Sequence, residues 1–370
     1  MRDRVLQLVL ILSAGALAMA ATPQAPNPSF IVHEWGTFTS VAGADGRAVQ
    51  WVPLGGQSDL PCFVERRAGN ANLKVATTGT VRMETPVLYF YAPRATEASV
   101  HVSFPQGLVT EWYPFATVPP PSANIGGQIS WPIVAVEPGA KESFPTDRAP
   151  SHYYAARHTD ANPIRVGGKT EKFLFYRGVG QFQPPVSATA REDGGVAVKS
   201  LDGQPLGDII FFENRHGAMT FTVHQLTSGS STLPRPSLDD ASGTPVAELK
   251  RTLIANGLYA QEAEAMVDTW KDSWFEEGAR LLYFFSRADV DRTLPLTISP
   301  RPSAVARVFV GRIELVTPAT IHDVRDAIAS GDRGVLAKYG RFLQPIAERA
   351  GLAEKIPSNL LPPPSTPSCR

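Results

Sequence analysis

Near residue 227 of this 370-residue chain the spacing of apolar residues first changes from that of strands to that of helices, and that change limits the folds open to it. From residue 30 to about 226, apolar and polar residues alternate in short runs, the period of a strand with one buried face. Val100, Val102 and Phe104, for instance, alternate with Ser99, His101 and Ser103. Residues 50–54, 86–91, 108–115, 129–136 and 172–179 also read as strands. Two more, 209–213 and 218–225, flank Asn214-Arg215-His216-Gly217, a hairpin turn. Pro- and Gly-rich stretches at 118–127, 137–150 and 184–195 separate the runs as connections. This punctuation predicts a sandwich- or barrel-like β lobe over residues 21–226.

Residues 227–245 are rich in Ser, Gly, Pro and Thr and read as a linker. Beyond them the period lengthens to that of a helix. Thr244 and Pro245 open one helix, with Val246, Leu249 and Leu253 on one face until Gly257. A second helix is expected over 260–277, with Ala263, Met266, Val267, Trp270 and Trp274 inward and Gly278 stopping it. Strands follow at 280–286 and 305–316, then a helix capped by Thr317 and a last one over 334–350 that Pro345 kinks or divides. The predicted fold class is α+β: a β-rich N-terminal lobe followed by a helical hairpin, two strands and C-terminal helices, the second lobe being 246–350. The Pro-rich tail, 351–370, is expected to be disordered.

Residues 1–20 read as a secretory signal, with Arg2 and Arg4 ahead of an apolar run and Ala18-Met19-Ala20 at the cleavage site. The expected location is therefore periplasmic or extracellular, with no transmembrane segment after cleavage. Removing the leader takes away Arg2, Arg4 and Asp3, leaving 33 basic and 34 acidic residues and a net charge of −1. With no basic run, no nucleic-acid partner is expected. Cys62 and Cys369 are the two cysteines. They either pair in an oxidising compartment or remain apart, a buried Cys62 and a Cys369 on a loose tail, and the second reading is the expectation.

Within the first strand, F-I-V-H-E-W-G-T-F-T-S-V, Phe30, Val32, Glu34 and Phe38 share one face and Ile31, His33, Trp35 and Thr37 the other. The more apolar face carries the carboxylate, which calls for a partner. Charges recur inside other apolar runs: Arg82 and Glu84 in phase with Leu88 and Phe90, Arg177 with Phe173 and Phe175, Arg312 and Glu314 with Val308 and Val310. Glu276 and Glu277 end a helix, where the dipole disfavours negative charge, so they need Arg280 or a metal ion. One network of Glu34, Arg82, Glu84, Arg177, Glu277 and Arg312 between the lobes accounts for all of these.

The segments H-E-W-G-T-F-T-S (33–40), T-W-K-D-S-W-F-E-E-G (269–278) and R-V-F-V-G-R-I-E-L-V-T-P (307–318) resemble an uncharacterised secreted bacterial family. The resemblance spans nearly the whole mature chain and implies an envelope compartment, with no activity or site residues attached. No signature fixes a reaction. His33-Glu34 is not followed by a second His at 37, and no G-x-S-x-G, S-x-x-K, C-x-x-C or phosphate-binding Gly loop occurs. No spacing supports a metal site using His33, and no motif names a cofactor.

Two functions remain open. The first is an exported ligand-binding or structural module with a buried Arg/Glu network. The alternative is a carboxylate-dependent hydrolase of a glycan or similar envelope polymer, because carboxylates sit beside aromatics at Glu34-Trp35, Glu111-Trp112-Tyr113 and Trp274–Glu277. Glu34, Glu84 and Glu277 are its catalytic candidates. His33, Trp35, Arg82, Arg177, Arg280 and Arg312 are the binding candidates, and the ligand is a small molecule or glycan left unidentified.

Overall fold

A computed structural model describes residues 27–54, 60–67, 77–120, 126–148, 150–237 and 244–356. The expected leader and residues 357–370 of the expected tail lie outside the described residues. The chain is α+β, with a β-rich N-terminal part and helices at the C-terminal end. Its centre is a nine-stranded sheet in the order β13 (Ala218–Leu226), β12 (Gly207–Arg215), β15 (Gly278–Phe284), β17 (Pro302–Leu315), β1 (Asn27–Val41), β3 (Val81–Tyr91), β9 (Leu174–Gly180), β5 (Gly107–Tyr113) and β2 (Glu65–Arg66). β1 and β17 run parallel, Trp35 beside Val308, and the other pairings of this sheet are antiparallel.

Two smaller sheets cover one face. One has the order β16 (Leu296–Ser299), β4 (Thr96–Phe104), β6 (Gly127–Val136), β7 (Ile164–Val166), β8 (Lys169–Glu171). The other has β10 (Val186–Ala190), β11 (Val196–Ser200), β14 (Ser230–Leu233). Val102, Trp131 and Val198 from these sheets pack with Phe30, Val32, Phe38, Leu88 and Phe309 in one core. The opposite face carries α1 (Pro245–Ala255) and α2 (Ala260–Trp274). There Leu249, Leu253, Met266 and Trp270 pack with Trp35, Val87, Phe212 and Val308. After α3 (Arg287–Thr293), the helices α4 (Pro318–Ser330), α5 (Arg333–Lys338) and α6 (Leu343–Arg349) build a third core, with Trp51 stacked on Phe342 at 5.4 Å.

Local signals place the helix starts. The Thr244 hydroxyl accepts from the Ala247 N–H at 3.2 Å, and Thr317 does the same for Thr320 at 3.1 Å. Pro345 sits in the first turn of α6, where its missing N–H leaves no bond broken, so it divides the last helix rather than kinking it.

Several expectations are corrected. The stretch 227–245 does not separate two sheets: β15 and β17, downstream of it, pair with β12 and β1, upstream, inside one sheet. β14 lies within that stretch and β10 within 184–195, both Ser/Thr-rich or small-residue strands whose pattern reads as turn. β16 and α3 stand between the two strands expected near the C-terminal end. Residues 50–54 make only an isolated bridge, Trp51 with Gly79, because Pro53 has no N–H to extend a ladder. Cys62 is disulfide-bonded, against the expectation that it stays free; Cys369 lies outside the described residues.

The largest correction concerns β3. Trp35 is opposite Val87 but Thr37 is opposite Glu84, so β3 carries one residue more than β1 over this step. Thr85, with φ 48°, takes up the extra residue in a bulge. Side-chain parity flips there. Val81 and Met83 share a core with Leu88 and Phe90, while Arg82 and Glu84 turn to the helix-covered face that Val87 and Tyr89 occupy.

Gly311, at the centre of β17, lies under the Tyr283 ring, where an added Cβ would come within 2.1 Å of Cζ. Gly311→Ala is expected to lower stability by about 1–3 kcal/mol through overpacking. A urea midpoint unchanged from wild type would count against this packing.

Candidate functional site

The first charged group is on the sheet-covered face, where alternation along β1 puts Glu34 among Phe30, Val32 and Phe38. Glu34 is fully buried. The Tyr176 hydroxyl donates to its Oε1 at 2.6 Å, and Arg307 Nε donates to Oε2 at 2.5 Å. Arg307 Nη1 reaches Asp291 on α3 at 2.7 Å. Burial disfavours the charged Arg307, yet the Glu34 carboxylate beside it outweighs that and raises its pKa. Burial, reinforced by Glu34, pushes the Tyr176 phenol well above its usual value, so it acts as a neutral donor. This is a sealed ion pair with a hydroxyl cap.

His33 faces the helices instead. Its Nδ1 lies 2.8 Å from Oε2 of Glu262 on α2, and Tyr91 donates to the other carboxylate oxygen at 2.8 Å. Glu262 also accepts the Tyr259 N–H at 2.8 Å, capping the helix start. The His33 ring packs against Tyr259 with centroids 4.4 Å apart. The group ties the α1–α2 turn to β1. Trp35 is wholly buried core, 6.2 Å from the Tyr89 ring, and offers no face to a ligand.

The densest cluster lies where α2 ends over the sheet. Arg280 is fully buried and uses all five of its N–H donors. Nη1 donates to the carbonyls of Trp274 and Glu276 at 2.7 Å each, and Nη2 to that of Glu277 at 2.7 Å. Nε and Nη2 meet Glu314 at 3.1 and 3.3 Å. The guanidinium thus satisfies carbonyls at the helix end, where a cation also suits the dipole. Arg312 continues the chain, reaching Glu276 at 2.8 Å, Glu314 at 3.1 Å and Ser273 at 2.8 Å. Arg341, from the turn before α6, meets Ser273 at 2.7 Å and Glu84 at 3.3 Å, and Arg82 lies 3.8 Å from Glu84. Desolvation pushes the Glu84 carboxyl up, but Arg341, Arg82 and Arg312 together pull it below its ordinary range.

The six-residue network expected from the sequence is therefore divided. Arg82, Glu84 and Arg312 are brought together, joined by Arg280, Glu314 and Arg341. Glu34 belongs to the opposite face of the sheet. Arg177 is buried opposite Glu111 in the β9–β5 register. Glu277 lies past the end of α2, half-exposed, and its side chain accepts the His216 N–H at 2.8 Å. Glu34, Glu84 and Glu277 thus answer to different partners: Arg307, Arg341 and the His216 N–H.

Sequence reasoning missed Glu262, Arg307 and Arg341. Arg307 is in phase with Phe309 and Ile313 in β17, the same signal that singled out Arg312 on the other face. Glu262 stands at the third position of its helix, a capping position that hid its long-range role. An open cleft of about 650 Å³ lies elsewhere, and none of the predicted site residues lines it. Phe284, Phe285, Asn256, Gln204, Asp202 and Asp289 are among its walls. Among the described residues no group of three or more His, Cys, Asp or Glu is placed to hold a metal ion, and no helix is long and apolar enough to cross a membrane.

Two outcomes follow. Arg280→Lys, with three donors on a point charge in place of the five-donor fork, is expected to lower stability by roughly 2–4 kcal/mol; a loss under about 0.5 kcal/mol in urea melts would refute the capping role. A carboxyl held below its unfolded value stabilises the fold above that value, and the stabilisation is lost as pH falls through the folded one. Stability should therefore drop below about pH 4.3, the unfolded glutamate value. The drop should be shallower in Glu84→Gln; equal slopes in the two proteins would contradict the assignment.

No family model matches this chain, and no curated protein matches it. Among solved structures, the yeast delta-COP-I mu-homology domain complexed with a Dsl1 WxWxV peptide matches over 78% of this chain and 96% of that one, at 6% identity and a TM-score of 0.26. A likeness that distant carries no argument about what this chain does.

Proposed function

We propose that this protein is an exported envelope module with a ligand-binding or structural role, in which the buried Arg/Glu groups are architectural. One observation supports this reading above the rest: the wholly buried carboxylate of β1, Glu34, is closed off by Arg307 and Tyr176. A carboxylate committed to a guanidinium and a phenol in a dry core is positioned to hold elements together, not to meet a substrate. The hydrolase reading lacks the corresponding support, since its three candidates occupy two faces of the sheet and a surface turn. For a ligand, the cleft between the loop 200–206, the end of α1 and the segment 284–289 is of suitable size. Its mixture of phenyl rings with amide, hydroxyl and carboxylate groups suits a polyhydroxylated small molecule or glycan.

The test combines stability with a glycan-binding screen on the purified protein. Glu34→Gln should lose about 3–5 kcal/mol by leaving Arg307 without its buried partner, whereas Glu34→Gln/Arg307→Met should recover much of that loss. Binding of any glycan hit should survive in whichever of these variants remains folded and fall in Asn256→Trp, which fills the cleft. A glycan hydrolysed by wild type and left intact by folded Glu34→Gln would overturn the architectural reading in favour of catalysis.

A further inference from the structure

β13 ends the nine-stranded sheet on one side. It pairs with β12 along its whole length, from Gly207 beside Leu226 to Arg215 beside Ala218. Among the described residues its outer side pairs with no strand, since β14, which follows closely, turns away to β11. The other outermost strands of the two larger sheets are short. β2 has two residues, β16 four, and β8 three with a lysine at its start. Short or charged edges are how sheets avoid unwanted pairing.

β13 has neither protection. Its nine residues, A-M-T-F-T-V-H-Q-L, include no Asp, Glu, Lys, Arg, Pro or Gly. Burial pushes the His224 imidazole below its usual value, so the strand is uncharged at neutral pH. Met219 and Val223 are 50% and 37% exposed, and they lie on the same side of the strand as Phe221, which is buried in the helix-covered core. The core thus reaches the sheet margin and stops with two apolar side chains in water.

We propose that β13 pairs with β13 of a second copy of this chain, antiparallel about a two-fold axis through Thr222, so that the two sheets become one. The strand suits its own copy. In that register Phe221 lies opposite Val223, Thr220 opposite His224 and Met219 opposite Gln225, each contact made twice as a two-fold interface requires. Residues opposite one another in an antiparallel pair point to the same face, so Met219, Phe221 and Val223 of both copies form one apolar band. No like charges meet across the join, and a formal net charge of zero, or −1 without the leader, gives little long-range repulsion between copies. This inference does not depend on the ligand-binding reading.

The experiment uses protein purified after expression of the full chain, with sedimentation velocity over a concentration series. A reversible dimer is expected, and Val223→Lys should weaken it roughly tenfold or more while leaving the circular dichroism spectrum unchanged, and the thermal midpoint unchanged when both proteins are dilute enough to be monomeric. Thr222→Cys, placed opposite its own copy, should form an intermolecular disulfide on mild oxidation, and Ala218→Cys, placed opposite Leu226, should not. A monomer at every concentration overturns the proposal, as would a monomer that takes up a synthetic strand of different sequence at this edge. A dimer indifferent to Val223→Lys, in which Thr222→Cys forms no crosslink, overturns it equally by placing the join elsewhere.

Discussion

One buried guanidinium decides how the helical layer meets the sheet. A helix end leaves carbonyls without partners, and burying them against a sheet is unfavourable unless donors are supplied. Arg280 supplies them from the sheet side, so the end of α2 can lie directly on β15 and β17. Its charge is answered by Glu314 on the neighbouring strand, and that carboxylate is shared with Arg312. The network spreads from this point because each added charge needs another. Glu276, Arg341, Glu84 and Arg82 are successive answers to the same electrostatic demand.

The same logic operates in miniature on the other face. Glu34 and Arg307 stand on adjacent parallel strands, and Tyr176 closes the remaining lone pairs. The two groups are separated by the sheet itself, each serving one layer. Pairs of this kind gain little over apolar residues of the same shape, yet losing one member is severe because the other stays buried and charged. From this asymmetry, a single substitution tests the architecture, whereas a paired neutral replacement tests the pairing alone.

Much of the local structure was legible in particular residues. Thr244-Pro245 and Thr317-Pro318 start helices because capping is a matter of neighbouring atoms. The alternation in β1 put Glu34 beside Phe30 and Val32 and His33 beside Trp35, and both assignments hold in the cores. The need of Glu276 for a cation was visible too, from the helix dipole, although Arg312 and not Arg280 meets it, while the Glu277 side chain accepts a backbone N–H instead. What failed was anything that required counting through an irregularity. The single extra residue at Thr85 moved Arg82 and Glu84 to the other face, and period-two reasoning has no means of registering a bulge. Arg307 escaped notice although its phase was readable, and Glu262 was masked by its local capping role.

The amino-acid sequence by itself determined the fold class, the order of strand-rich and helix-rich segments, the helix starts and the presence of charges that had to be paired. These follow from interactions spanning a few residues, which a linear pattern records. Tertiary structure alone decided which charge meets which, that β1 and β17 lie side by side although some 270 residues separate their partners, and that the expected linker crosses no boundary between sheets. Pairings over such separations are fixed by burying two faces of one sheet at once, a constraint on the whole chain that no short stretch carries.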